Sequence, residues 1–173
     1  MQSVAIIINK YVHKRLVMNQ LTDEKKITVA IGSDPNAAAL KEIIKVQLNE
    51  LGYTVKDFGS EDPIYARVAF AVGEAVAAHK YDRGILLCGT GIGMSIAANK
   101  VPGIYAALCS DTYSAERAIK SNNANILTIG ALTTGVEVAK QIIKIWMESI
   151  WQPGTASEPK VASYVEYAKK HQT

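Results

Sequence analysis

The chain has 173 residues, 49% hydrophobic and 20% charged, which suits a single domain with a full-sized core. Its net charge of +3, with no basic run interleaved with aromatics, argues against nucleic acid as a partner. No apolar run reaches the length of a membrane-spanning helix, and two cysteines do not make a disulfide scaffold in a chain this long. Free thiols fit a reducing cytoplasm.

Residues 1–26 stand outside the alternation that follows and read as an N-terminal extension. Val4 to Ile8 fits an edge strand; it is too short for a signal-peptide core and no small-residue cleavage site follows it. Lys10 to Gln20 is weakly amphipathic. Met18 opens a more compact start and reads as an alternative first residue. Residues 27–173 form the expected domain.

From Ile27 onward, strand and helix alternate. Ile27 to Ile31 is strand one, followed by a turn in which Asp34 can cap a helix that Pro35 opens. Leu40, Ile44, Leu48 and Leu51 share a helical stripe, and Gly52 ends it. Tyr53 to Asp57 is strand two. Pro63 opens the next helix, with Val68, Val72 and Val76 on one face. Ile85 to Cys88 is a continuous apolar strand, as burial on both faces requires. A glycine-rich turn leads from it into a short helix from Met94 to Asn99.

Ile104 to Leu108 is strand four, ending at Cys109-Ser110-Asp111. Thr112 to Ser121 is a helix with Tyr113, Ala118 and Ile119 as its apolar positions. Asn122 to Asn125 is a polar turn, and Ile126 to Ile129 is strand five. Val136 to Trp151 is a long amphipathic helix with Val136, Ala139, Ile143 and Met147 on one face. A Pro/Gly/Ser-rich loop and a last helix, Val161 to Lys170, complete the chain. The alternation predicts an α/β fold: one open, five-stranded parallel sheet with helices on both faces. Ligands in such sheets bind beyond the carboxyl ends of the strands, where strand order switches. Asp34, Cys88 with its loop, Ser110-Asp111 and Asn122/Asn125 are the candidates there.

The most informative stretch is Gly84 to Lys100. Cys88 ends a strand, Gly89-Thr90-Gly91-Ile92-Gly93 turns, and a helix begins. Such a turn aims unpaired backbone N–H groups into one small space. It also sets a thiol beside a helix amino terminus, which favours a thiolate. A base next to an anion cradle is what abstraction of a proton alpha to a carbonyl requires.

Each residue also has a plainer reading. A G-x-G-x-G turn alone is weak, and the dinucleotide fingerprint belongs after the first strand, not the third. Cys88 could be a packed core thiol, but the glycine turn after it favours function; Cys109 lacks that turn and reads as core. Thr90 is either a turn-former or a hydroxyl aimed at a substrate oxygen. Asp34 is a helix cap or a ligand, on equal terms. Asn123 suits a left-handed turn position. His13, His79 and His171 fall at no predicted strand end, so the sequence points to no metal site, no Ser–His–Asp triad and no cofactor.

C-G-T-G-I-G-M-S-I-A-A-N-K-V-P-G from Cys88 to Gly103, with S-D-T-Y-S-A-E-R and S-N-N-A-N after it, resembles the ribose-5-phosphate isomerase B / galactose-6-phosphate isomerase family. The resemblance covers about Ile27 to Trp151. It implies a Rossmann-like fold, a homodimer or homotetramer, and metal-free interconversion of aldose and ketose phosphates through a cis-enediolate. Cys88 would move the proton between C1 and C2, and the backbone of Gly89, Gly91, Ile92 and Gly93 would hold the enediolate oxygen. Asp34, and Asn122 from a neighbouring subunit, would bind substrate hydroxyls.

The chain departs from the family pattern at named places. Asp34 is followed by Pro35 where the family usually has histidine, and Ser121 stands where a ring-opening histidine is common. The phosphate-holding arginines would fall near Leu132, Thr155 and Pro159; none of these is basic, although Lys160 is adjacent. A four-carbon sugar phosphorylated on its terminal hydroxyl cannot close a furanose ring and needs no ring opening. The D-T-Y-S-A-E-R…S-N-N-A pattern also resembles the family's erythrulose-4-phosphate isomerase branch. Two further readings are a cysteine-bearing subunit paired with a paralogous chain in a galactose-6-phosphate isomerase, and a non-catalytic sugar-phosphate-binding paralogue.

Overall fold

The structure, a computed structural model, describes residues 27–171. The expected edge strand at Val4–Ile8 and the amphipathic Lys10–Gln20 segment lie outside these residues. The five expected strands are present: β1 (Thr28–Ser33), β2 (Thr54–Asp57), β3 (Arg83–Cys88), β4 (Ala106–Leu108) and β5 (Ile126–Gly130). They form one parallel sheet in the order β2-β1-β3-β5-β4. The helices are α1 (Ala38–Glu50), α2 (Tyr65–Ala77), α3 (Ile92–Ala98), α4 (Thr112–Lys120), α5 (Val136–Glu148) and α6 (Glu158–His171). A 3₁₀ turn, Pro35–Ala37, precedes α1.

Alternate strand residues feed two cores. On one face Val29, Ile31, Ile85, Leu87, Leu127 and Ile129 pack against α1, α4 and α5. On the other, Ala30, Leu86, Cys88 and Ile126 pack against α2 and α3. Ile44 and Leu48 of α1 are fully buried, each worth about 1.5–3 kcal/mol relative to exposure. Gly52 ends that helix at φ 87, a left-handed conformation that L side chains rarely adopt. Lys41 is 2% exposed because its ammonium meets Asp57 at 2.8 Å. Burial alone would raise the Asp57 pKa, but Lys41, Lys45 and the Gly59 N–H outweigh it and hold the carboxyl at about 2.

Several boundaries differ from the sequence reading. β1 runs on to Ser33 because Gly32 and Ser33 keep pairing with Leu86 and Leu87. α2 starts at Tyr65, two residues after Pro63, because the Asp62 carboxylate accepts the Ile64 N–H and shapes a turn first. α5 stops at Glu148, not Trp151: the Arg83 guanidinium donates to the carbonyls of Trp146, Met147 and Ser149 and closes the helix end. Tyr113 is 71% exposed; the buried stripe of α4 is Ala115, Ala118 and Ile119, and Tyr113 lies off it. Val136, in the first turn of α5, is also exposed, while Ile142 and Trp146 join the buried face. β4 is an edge strand, which leaves Leu108 exposed.

Candidate active site

The sheet order switches direction between β1 and β3. The chain leaves β1 outward to β2, then crosses over to β3 on the other side of β1. Loops diverge there and open a crevice at the carboxyl ends. Asp34 ends β1 and Cys88 ends β3, and the two ends are tied: the Asp34 N–H donates to the Leu87 carbonyl at 3.1 Å. Two of the residues expected to meet are therefore neighbours.

Cys88 is 4% exposed and a free thiol. Its Sγ accepts the Gly91 N–H at 3.1 Å, a contact stronger to a thiolate than to a thiol. This bond needs the turn that glycine provides. Gly91 has φ 78, and a Cβ there would stand 2.6 Å from Leu108 Cδ1 and 2.8 Å from the Ile129 carbonyl carbon. The loop is pinned from beneath. The Cys88 and Gly89 carbonyls accept from the Ala131 and Leu132 N–H groups, and Gly130 packs its Cα against the Thr90 backbone. The loop backbone is thus positioned before any ligand arrives, the condition for electrostatic stabilisation of a developing charge.

The remaining loop residues lead into α3. Thr90 is exposed, and its Oγ1 accepts the Ile92 N–H at 3.4 Å, which leaves the hydroxyl hydrogen free to point outward. Ile92 and Gly93 open α3, whose first-turn N–H groups have no intrahelical acceptor. Ile92 presents its side chain to solvent. Asp34 is 5% exposed, and its carboxylate accepts from the Ala37 N–H and the Asn36 side-chain amide. It is a cap, as one of the two readings had it, and it stands beside the Cys88 end of β3.

Asn122 and Asn125 are not at a strand's carboxyl end, which corrects the sequence reading. Both precede Ile126, the amino end of β5, whereas Cys88 pairs with Gly130 at the other end of that strand. At about 3.3 Å per residue, the length of β5 separates them within one chain. The reason is the crossover: α4 returns from the carboxyl end of β4, so its last turn lies at the opposite edge. There Asn122 donates to the Arg117 carbonyl, and the Asn125 side chain bridges the Tyr105 N–H and the Gly103 carbonyl. Asn123 has φ 47, the left-handed turn position expected of it. Asp111 caps α4 by accepting from the Ser114 N–H and hydroxyl, each at 2.7 Å.

Sequence reasoning missed Tyr65. Its ring lies over the loop, so that a Cβ on Gly93 would stand 2.5 Å from its Cζ. The signal was available: the first residue of a crossover helix returns from a strand's carboxyl end, the side where the loop lies. Among the described residues, no group of three His, Cys, Asp or Glu could hold a metal ion. No helix among them is long and apolar enough to cross a membrane.

A sequence profile described as Ribose/Galactose Isomerase matches residues 29–164. The chain belongs to the ribose/galactose isomerase family. Members similar to it include D-erythrulose-4-phosphate isomerase of Pectobacterium atrosepticum, 49% identical over 84% of this chain and 99% of that protein. Ribose-5-P isomerase B of Listeria innocua is 44% identical over 83% of this chain and 98% of its own. The solved ribose-5-phosphate isomerase B of Clostridium thermocellum superposes with a TM-score of 0.79 at 40% identity, covering 84% of this chain and 99% of that one. The expected Rossmann-like parallel sheet is thus the fold of its family.

Proposed function

We propose that this chain is an aldose–ketose isomerase acting on a small sugar phosphate, a tetrulose 4-phosphate or a pentose 5-phosphate, without a cofactor. The observation that carries the reading is the Gly91 N–H aimed at the Cys88 sulfur inside a pre-formed glycine loop. The Cys88 thiolate takes the proton from the carbon next to the substrate carbonyl. The electron pair of that C–H bond forms the C1–C2 double bond, and the carbonyl oxygen takes the negative charge. The backbone of Gly89, Gly91, Ile92 and Gly93 and the Thr90 hydroxyl surround that oxygen; one such donor contributes roughly 3 kcal/mol to the transition state. Return of the proton to the adjacent carbon, with a proton exchanged between the two oxygens, completes the isomerisation.

Asp34 and Asn122 bind substrate hydroxyls, Asn122 from a second copy of the chain. Support for a second copy comes from the apolar surface around the loop: Ile92, Ile96, Leu108 and Leu132 are all exposed, at 52%, 58%, 42% and 75%. The enzyme is a cytoplasmic homodimer or homotetramer built from residues 27–173, with 1–26 as a peripheral extension. Ser121, in the place of a ring-opening histidine, suits a substrate that does not cyclise, and the similarity to an erythrulose-4-phosphate isomerase agrees.

The test assays erythrulose 4-phosphate, ribulose 5-phosphate and tagatose 6-phosphate with wild type and Cys88→Ala in deuterated water. The wild type should turn over the four-carbon substrate fastest and place deuterium at C1 or C2. Full activity of Cys88→Ala would sink the mechanism. Mixing inactive Cys88→Ala with inactive Asn122→Ala should restore up to a quarter of the activity by random pairing; no recovery would mean that Asn122 does not act across subunits. A wild-type chain that is silent alone but active with a paralogous chain would favour the two-subunit reading.

A further inference from the structure

Asn122 stands one residue beyond the cap of α4, where the helix ladder has ended. The backbone specifies the turn that follows. Asn123 takes the left-handed conformation, φ 47, and its N–H donates to the Ile119 carbonyl at 2.9 Å; the Ala124 N–H donates to the Ala118 carbonyl at 2.8 Å. Those two bonds satisfy carbonyls of the helix's last turn. They leave the Asn122 carbonyl outside the ladder. Its partner comes from the far end of the chain: the Tyr164 hydroxyl of α6 donates to it.

α6 brings that hydroxyl to a fixed place. Val161 is the buried residue of the helix, and Tyr164, three residues on, lies on the same face. The Tyr164 ring packs on the Tyr105 ring, with centroids 5.1 Å apart and planes at 51°. Tyr105 is held in turn: its N–H donates to Asn125 Oδ1 at 2.9 Å, and its carbonyl accepts the Asn125 N–H at 3.1 Å. Ring and hydroxyl therefore do different jobs. The ring seats α6 beside the start of β4, and the hydroxyl reaches on to the asparagine turn. Burial, with Tyr105 as the smaller cause, raises the phenol above its ordinary pKa, so it remains a donor at any pH near neutrality.

The Asn122 side chain is exposed beside a cavity of about 300 Å³ that it lines together with Tyr105 and Tyr164. One N–H of its amide donates to the Arg117 carbonyl at 3.0 Å. Oδ1 and the second N–H remain for a hydroxyl that arrives from outside. The amide is thus held by α4 and the carbonyl behind it by α6. Place and direction of the remaining polar atoms are set before a ligand binds, which spares the entropy of ordering them.

We propose that Tyr164 is a positioning residue of the isomerase: its hydroxyl fixes the Asn122 backbone, and through it the amide that meets a substrate hydroxyl in the neighbouring copy. The inference rests on the reading given above, in which Asn122 acts across subunits. The last helix thereby shapes a site that lies in another copy of the chain.

The test is Tyr164→Phe, which keeps the ring on Tyr105 and removes only the hydroxyl. On the four-carbon substrate KM should rise about three- to tenfold, with kcat within about threefold and the melting temperature within about 4 °C of wild type, as loss of one neutral hydrogen bond predicts. Amide exchange at Asn123, followed by NMR, should quicken about two- to tenfold as the turn loosens. Mixing Tyr164→Phe with inactive Cys88→Ala should return a component with the wild-type KM. In a mixed pair, the intact Cys88 of the first chain is served by an Asn122 whose own Tyr164 is present. A Tyr164→Phe variant that melts lower but keeps the wild-type KM would overturn the proposal and leave the hydroxyl a structural tie. A raised KM that mixing does not restore would overturn it too. A wild type that isomerises no sugar phosphate would instead remove the isomerase reading, and this role with it, before any variant is made.

Discussion

Cys88 and Cys109 are both free, both buried and both at a strand's carboxyl end, yet they sit in opposite chemical settings. Cys88 packs in the core under α2 and α3; Cys109 packs in the core on the other face, under α4 and α5. After Cys88 the chain turns through glycines and brings a backbone N–H back to the sulfur. After Cys109 it turns through Ser110 into Asp111, whose carboxylate caps α4. Burial, with the Asp111 charge second, pushes the Cys109 thiol up to about 12. What distinguishes the two cysteines here is the turn that follows each strand.

The largest test of this contrast is a pair of substitutions. Cys88→Ala should lower kcat about 10²–10⁴-fold, the usual contribution of a positioned base. Cys109→Ala should leave kcat within about threefold and cost stability instead, about 1 kcal/mol for a small buried group. Equal losses of kcat from both would erase the distinction. Steady-state kinetics with thermal melts on each variant decides it.

A second substitution attacks the turn itself. In Gly91→Ala the new Cβ meets Leu108 and the backbone of Ile129 and Gly130, and φ 78 is strained for any L side chain. The loop must shift, which draws the N–H away from Cys88. We expect a stability loss of about 1–3 kcal/mol and a kcat loss of roughly 10- to 100-fold. An Ala variant that loses stability but keeps kcat would show that the N–H does not matter to the chemistry.

Most of the fold was legible because the strands are short apolar runs and the helices carry clear stripes. Val68, Val72 and Val76 are buried as their spacing requires. The pairing of Asp34 with the Cys88 end was legible too, since both end strands. The placement of Asn122 was not. Linear sequence marks a polar turn but does not say which end of the sheet a crossover helix has reached. The premature end of α5 was hidden for a related reason: Arg83, remote in sequence, takes the last carbonyls. Tyr65 was signalled by its place at the start of a crossover helix, but its contact with Gly93 depends on how α2 packs on α3, which periodicity does not encode.

Alkaline titration probes the quiet cysteine by itself. The folded Cys109 pKa of about 12 lies above the ordinary thiol value of 9.0. A raised folded pKa means that the unfolded chain releases its proton first. The stability this group contributes is therefore intact below about pH 9 and declines as pH climbs toward 12, with a limiting slope of about 1.4 kcal/mol per pH unit. Denaturant melts from pH 8 to 10.5 should show that slope reduced in Cys109→Ala. An unchanged slope would mean that the thiol is not held neutral by its surroundings.

The smallest effect separates the two causes acting on Cys109. Asp111→Asn removes the negative charge but keeps a side-chain oxygen for the Ser114 N–H, so the helix cap survives within about 0.5 kcal/mol. Asp111 is exposed, so water and salt screen its field. Burial is the larger cause and stays in place. The Cys109 thiol should therefore come down only slightly and still resist iodoacetamide at pH 8, with labelling confined to Cys88 and read by peptide mass spectrometry. Rapid labelling of Cys109 in Asp111→Asn would reverse the order of causes: the turn after the strand would then set the chemistry of both cysteines through charge, not one through a glycine N–H and the other through burial.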